Sequence, residues 1–147
     1  MLTVDEPRQK LCFYRLKKPE AELRQSIFLN DFVLGFHAQK DEFDVKKLYV
    51  LRHQGVTVLA EDEFDDDWHV DRHISFEPGY FGDAVYTLLA SHSQMLVLFQ
   101  ECLEMVDLQS SKKQRLMNFK QDEVGAVALV EKRIWISQNA RSQLLIC

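Results

Sequence analysis

The residues richest in chemistry lie between positions 65 and 77, "DDDWHVDRHISFE", where three consecutive aspartates lead into His69, Asp71 and His73 at two-residue spacing. Imidazole and carboxylate groups are common ligands of transition metals, and His69-Val70-Asp71 matches the H-x-D element of a two-histidine, one-carboxylate iron site. In an extended strand successive side chains face opposite sides. His69, Asp71, His73, Ser75 and Glu77 are therefore expected on one face, and Trp68, Val70, Arg72, Ile74 and Phe76 on the core face. Alternate residues of a strand stand about 6.6–7 Å apart, whereas a metal–nitrogen bond is about 2.0–2.1 Å, so His69 and His73 cannot close on one small ion unless the strand bends. His92 is the only histidine further downstream.

Two functions follow from this stretch. The first is a non-enzymatic interaction protein (an adaptor, inhibitor or immunity-type protein) whose docking surface is built from Asp62, Glu63, Phe64, Asp65, Asp66, Asp67, His69, Asp71 and His73. Its partner would be a protein, a basic one being the natural electrostatic match. Tyr80 and Phe81, close in sequence, are further aromatic candidates, with Trp68 assigned to the core. Because histidines titrate near neutral pH, docking on that face would respond to pH. The alternative is a small metal-dependent enzyme that uses His69, Asp71 and His73 as ligands.

Other combinations carry less. Asp31, followed thirteen residues later by Asp44-Val45-Lys46, superficially resembles the carboxylate and lysine set of a metal-dependent nuclease, with Asn30 in place of the expected proline. Gly-x-Ser-x-Gly, the phosphate-binding loop and the dinucleotide fingerprint are all absent, which excludes NTPases and Rossmann enzymes; no cofactor is expected. The stretch "VGAVALVEKRIWIS" resembles the opening strands of a Tudor or SH3-like barrel, folds that hold peptides in aromatic cages. It has a single aromatic, Trp135, and no binding residue carries over.

The 147 residues, 46% hydrophobic and 28% charged, are the size and composition of one globular domain. The net charge of −5 is unevenly spread: residues 41–107 hold fifteen acids and four bases. Such a segment repels a phosphate backbone and argues against general nucleic-acid binding. Neither a signal peptide nor a membrane helix is expected from the acidic first residues and the lack of a long apolar run, and three cysteines without CxxC spacing fit a reducing, intracellular setting. Homo-oligomerisation is compatible with the same composition.

The elements that must position these residues are expected as follows. "LCFYRL" (11–16) reads as a strand and 17–25 as one helical turn, while 26–38 reads either as one long strand or as a hairpin turning at Asn30-Asp31. Residues 48–61 read as a hairpin with Gly55 between its strands. From Asp83 to Asp107, Val85, Leu88, Leu89, Met95, Leu96, Phe99, Leu103 and Val106 recur at three- and four-residue steps, the pattern of a long amphipathic helix. That spacing puts His92 on the apolar stripe, about 15 Å of helical rise from Cys102. A basic helix at 111–121 and three short strands complete the chain. The expected fold is α+β: a single domain, 1–147, with a curved antiparallel sheet packed against one long helix.

Overall fold

A computed structural model describes residues 1–5, 9–119, 124–130, 133–138 and 142–146. Its backbone contacts divide into two units, Met1–Gly82 and Asp83–Cys147. Each unit is built from antiparallel strands. No helix forms among the described residues, and so none is long and apolar enough to cross a membrane.

In the first unit, β1 (Leu2–Asp5), β2 (Lys10–Lys17) and β3 (Glu20–Phe28) form a three-stranded sheet in sequence order. A four-stranded meander follows: β4 (Val33–Lys40), β5 (Lys46–Arg52), β6 (Gly55–Glu61) and β7 (Trp68–Ser75). The sheets meet through Leu11, Leu29, Val33, Leu48, Val50 and Leu59, with Leu2, Val4, Phe13, Ile27 and Trp68 packed around them. Central strand β6 is buried from Gly55 to Ala60, which is why its sequence is apolar at consecutive rather than alternate positions. Gly55 is required where it stands: its φ is +151°, and a Cβ there would meet the Ile74 carbonyl oxygen at 2.0 Å.

The second unit begins with β8 (Tyr86–Leu89), β9 (Gln94–Leu98), β10 (Cys102–Asp107) and β11 (Lys113–Asn118), a second four-stranded meander. Leu96, Leu98 and Leu103 form its core with Leu88, Met105, Met117 and Phe119. A final three-stranded sheet contains β12 (Val124–Val130), β13 (Arg133–Gln138) and β14 (Ser142–Ile146), close to the three expected closing strands.

The described chain is thus all-β, not α+β, and the long helix is the main correction. Residues 83–107 hold three strands, because β9 is buried on both faces: Met95, Leu96, Val97 and Leu98 are all 2% exposed or less. A strand enclosed on both sides reads as a continuous apolar run, and two such runs separated by polar turns mimic helical spacing. The interruptions at Ser91-His92-Ser93 and around Gln100-Glu101 are hairpin turns, closed by Ala90 N–H donating to the Gln94 carbonyl at 2.9 Å and Phe99 N–H to that of Cys102 at 2.8 Å. His92 consequently sits in a turn, not on an apolar stripe. Residues 113–118 of the expected basic helix form β11; residues 120 and 121 lie outside the described residues. The helical turn expected at 17–25 is the β2–β3 hairpin, and the chain does turn at Asn30-Asp31, but to cross between sheets, since β3 pairs with β2 and β4 with β5.

Candidate functional site

Within residues 65–77, Trp68–Ser75 form β7, an edge strand, but its alternation is broken. Leu59 lies opposite Val70 and Val58 opposite Arg72, leaving Asp71 as the extra residue of a β-bulge. Residues directly opposite share a face of the sheet. His69 is opposite Ala60 and His73 opposite Thr57, three positions apart on β6, so the two histidines point to opposite faces. Thr57 Oγ1 lies 2.8 Å from His73 Nδ1, while Asp71 accepts from Lys47 Nζ at 3.1 Å. Lys47 is opposite Ala60, the residue that faces His69. His69, Asp71 and His73 therefore do not converge, and among the described residues no three His, Cys, Asp or Glu side chains group as metal ligands.

The nuclease-like set is dispersed as well. Asp31 precedes β4 and Asp44 follows it, so an eight-residue strand of about 26 Å separates them. Asp31 is committed elsewhere, to Arg52 at 3.1 Å, and Asp44 to Lys40 at 2.8 Å. Tyr80 and Phe81 are buried in an aromatic cluster with Phe76, centroids 5.0–5.5 Å apart, and offer no docking surface.

What the fold does bring together is a pair of hairpin tips. In a meander the β4–β5 and β6–β7 turns fall at the same end of the sheet, about 10 Å apart at a strand spacing of 4.7–4.9 Å. Both turns carry the tetrapeptide Asp-Glu-Phe-Asp, at 41–44 and at 62–65. In both, the first aspartate accepts the N–H of the phenylalanine: Phe43 N–H to Asp41 Oδ1 at 2.9 Å, and Phe64 N–H to Asp62 Oδ1 at 2.8 Å. These Asx turns fix the backbone and turn the rings outward. Phe43 is 77% and Phe64 93% exposed.

Each tip is otherwise held by main-chain bonds and a left-handed aspartate, Asp44 at φ 65° and Asp66 at φ 55°. Asp62 N–H donates to the Asp67 carbonyl at 2.7 Å, and Asp41 N–H to that of Val45 at 2.9 Å. Glu63, Asp65, Asp66 and Asp67 are exposed and form no ion pair among the described residues. The expected acidic docking segment is thus a presented tip, and sequence reasoning missed its twin. The signal was in the letters, as an exact repeat of four residues, but only strand order makes the two copies neighbours.

Beside the tips the two sheets of the first unit part. Phe36 lies opposite Val50, and Ala38 opposite Leu48, so both point toward the core side of the sheet. Both are nonetheless exposed, Phe36 by 44%, because the three-stranded sheet does not cover that corner. A cleft of about 520 Å³ opens there, with Phe13, Phe36, Leu48 and Trp68 on its apolar wall. The Trp68 ring stacks on Phe13 at 5.6 Å, and the Gln25 amide donates to the Trp68 carbonyl while accepting its N–H at 2.7 Å. At the rim Lys46 pairs with Glu61 at 2.9 Å, and that hydrogen bond and charge raise the ammonium above its ordinary pKa.

No protein-family model matches the chain, and comparison with curated proteins finds no match.

Proposed function

We propose that the protein is an intracellular interaction module that captures a basic protein partner at the hairpin-tip end of its first unit. The observation that supports this best is the duplication: two neighbouring tips of the same acidic tetrapeptide, each fixed by its own Asx turn, hold a phenylalanine in solvent. Hydrophobic rings left in water at 77% and 93% exposure contribute nothing to the unit's own core. Buried against a partner, each is worth about 1.5–3 kcal/mol. The carboxylates would accelerate and orient association, and the rings would supply affinity.

The distribution of charge points the same way. Residues 1–82 hold sixteen acids and eleven bases, residues 83–147 seven of each, so the whole acidic surplus belongs to the unit that carries the tips. Cys12 and Cys102 are buried thiols, in keeping with a reducing compartment.

Affinity capture from extract of the source cell tests the reading, with the wild-type chain compared against the Phe43→Ala/Phe64→Ala double variant. The expected result is a basic protein retained by the wild type, lost from the double variant and released steeply by salt. A partner held equally by both chains, with no dependence on salt, would overturn it.

A further inference from the structure

We propose that the cleft between the two sheets of the first unit receives a peptide segment of the partner in which an apolar side chain lies between one acidic and one basic side chain. This rests on the interaction-module reading above and specifies what the partner must carry. Three features of the cleft support it.

The first is shape. At about 520 Å³ the cleft is within the roughly 300–1,000 Å³ range of binding pockets, enough for a large side chain and its flanking backbone. The second is preorganisation. Trp68 is fixed through its ring by Phe13 and through its backbone by Gln25, so little freedom is lost when an apolar group settles on that wall. Phe36 already faces inward at the open corner and remains 44% exposed.

The third is charge. Lys46 and Glu61 neutralise one another at 2.9 Å, and Glu22 on the β2–β3 hairpin is taken by Lys17 at 2.9 Å. Four charged side chains remain along the lining: Arg15 and Arg24 from β2 and β3, Asp66 and Asp67 from the β6–β7 loop. None of them closes an ion pair among the described residues, although both signs line one cleft. The complement of such a lining is dipolar. A segment with two basic groups would bring one of them against the guanidinium groups, and a segment with two acidic groups would meet Asp66 and Asp67. Exposed charges of this kind contribute little affinity and act mainly on orientation and on rejection of the wrong ligand.

The test uses the full chain carrying Trp135→Phe, which leaves Trp68 as the only tryptophan. Blocked pentapeptides with a central leucine, glycine spacers, and lysine at one end with glutamate at the other are titrated against Trp68 fluorescence, with calorimetry in parallel to detect binding that leaves the emission unchanged. The controls carry two lysines or two glutamates. We expect the mixed peptide to bind roughly tenfold tighter than either control. Arg24→Gln should abolish its advantage over the dilysine peptide, Asp67→Asn its advantage over the diglutamate peptide, and Phe36→Ser should weaken all three; Arg15→Gln serves in place of Arg24→Gln if that variant does not fold.

Absence of saturable binding by any peptide across the millimolar range would overturn the proposal. So would tightest binding of the dilysine peptide with no response to Arg24→Gln, an outcome that leaves the acidic docking of a basic partner standing. Conversely, selective binding of the mixed peptide together with undiminished partner capture by the double-phenylalanine variant would sustain the cleft and sink the tips.

Discussion

At the β5–β6 end of the first unit's meander, Asp31 is 7% exposed and every polar contact it makes is internal. Its Oδ1 accepts Phe32 N–H at 2.8 Å, and its Oδ2 accepts Gln54 N–H at 3.0 Å and Arg52 Nη1 at 3.1 Å. At the opposite end, Asp41 and Asp62 also accept backbone N–H groups, but beside them stand Glu63, Asp65, Asp66 and Asp67, which close no ion pair among the described residues, and two phenylalanines in solvent. The same residue type therefore does different work at the two ends. Where charge is neutralised inside the molecule it joins two chain segments, and where it is left in water it is available to another molecule. Perturbing the first end should change stability without touching recognition, and perturbing the second should act chiefly on recognition, with the smaller cost in stability.

The largest expected effect is at the closed end. Asp31→Ala strands the Arg52 guanidinium, which is only 9% exposed and whose Nε already lacks a partner among the described residues, and should cost about 3–5 kcal/mol in urea or thermal unfolding. Replacing both residues by leucine should recover part of this loss, because the buried charge is gone, but not all, since Phe32 and Gln54 N–H lose their acceptor. Gly55→Ala comes next, at about 1–3 kcal/mol or more, from its positive φ and the Ile74 carbonyl in the path of the new Cβ. If either variant weakened partner capture while remaining folded, the separation of the two ends would be lost.

A third measurement probes the strand between the ends. His37, half-buried on β4 opposite Tyr49, has its pKa pushed below the ordinary 6.5 by burial. The unfolded chain therefore takes up a proton there before the folded one does, so this contribution to stability is present above pH 6.5 and is lost as pH falls below it toward the folded value. Melting temperatures from pH 7.5 to 5 should decline less steeply for His37→Gln than for the wild type. An identical slope would mean that His37 does not sense folding.

Local signals in the sequence were read well where one strand pairs with its neighbour through a short turn. The 48–61 hairpin and Gly55 came from β-rich runs flanking a glycine, and β7 from its alternation. Residues 83–107 failed because a strand buried on both faces, such as β9, carries no period of its own. The His69/Asp71/His73 face failed for a different reason: a single bulge residue reverses every side chain beyond it, and nothing in "HVDRH" announces which position is extra. Of the site, the acidic segment 62–67 was legible as charge, but its partner tip at 41–44 was not, since two identical tetrapeptides gain meaning only when the meander places them at one end.

The smallest change separates charge from shape at the open end. Asp62→Asn keeps a carbonyl oxygen that can accept Phe64 N–H, so the turn should persist and stability should move by no more than about 0.5 kcal/mol. Asp62→Ala removes the acceptor as well as the charge and should cost about 0.5–1.5 kcal/mol. If recognition depends on charge alone, both variants should weaken capture of a basic partner equally and flatten its salt dependence to the same degree. If it also depends on Phe64 being held outward, the alanine variant should be the weaker binder at every salt concentration, because a free tip must be ordered before the ring can dock. The Asp41→Asn and Asp41→Ala pair should repeat the pattern with a larger stability difference, since Asp41 Oδ1 also accepts Val45 N–H at 3.0 Å.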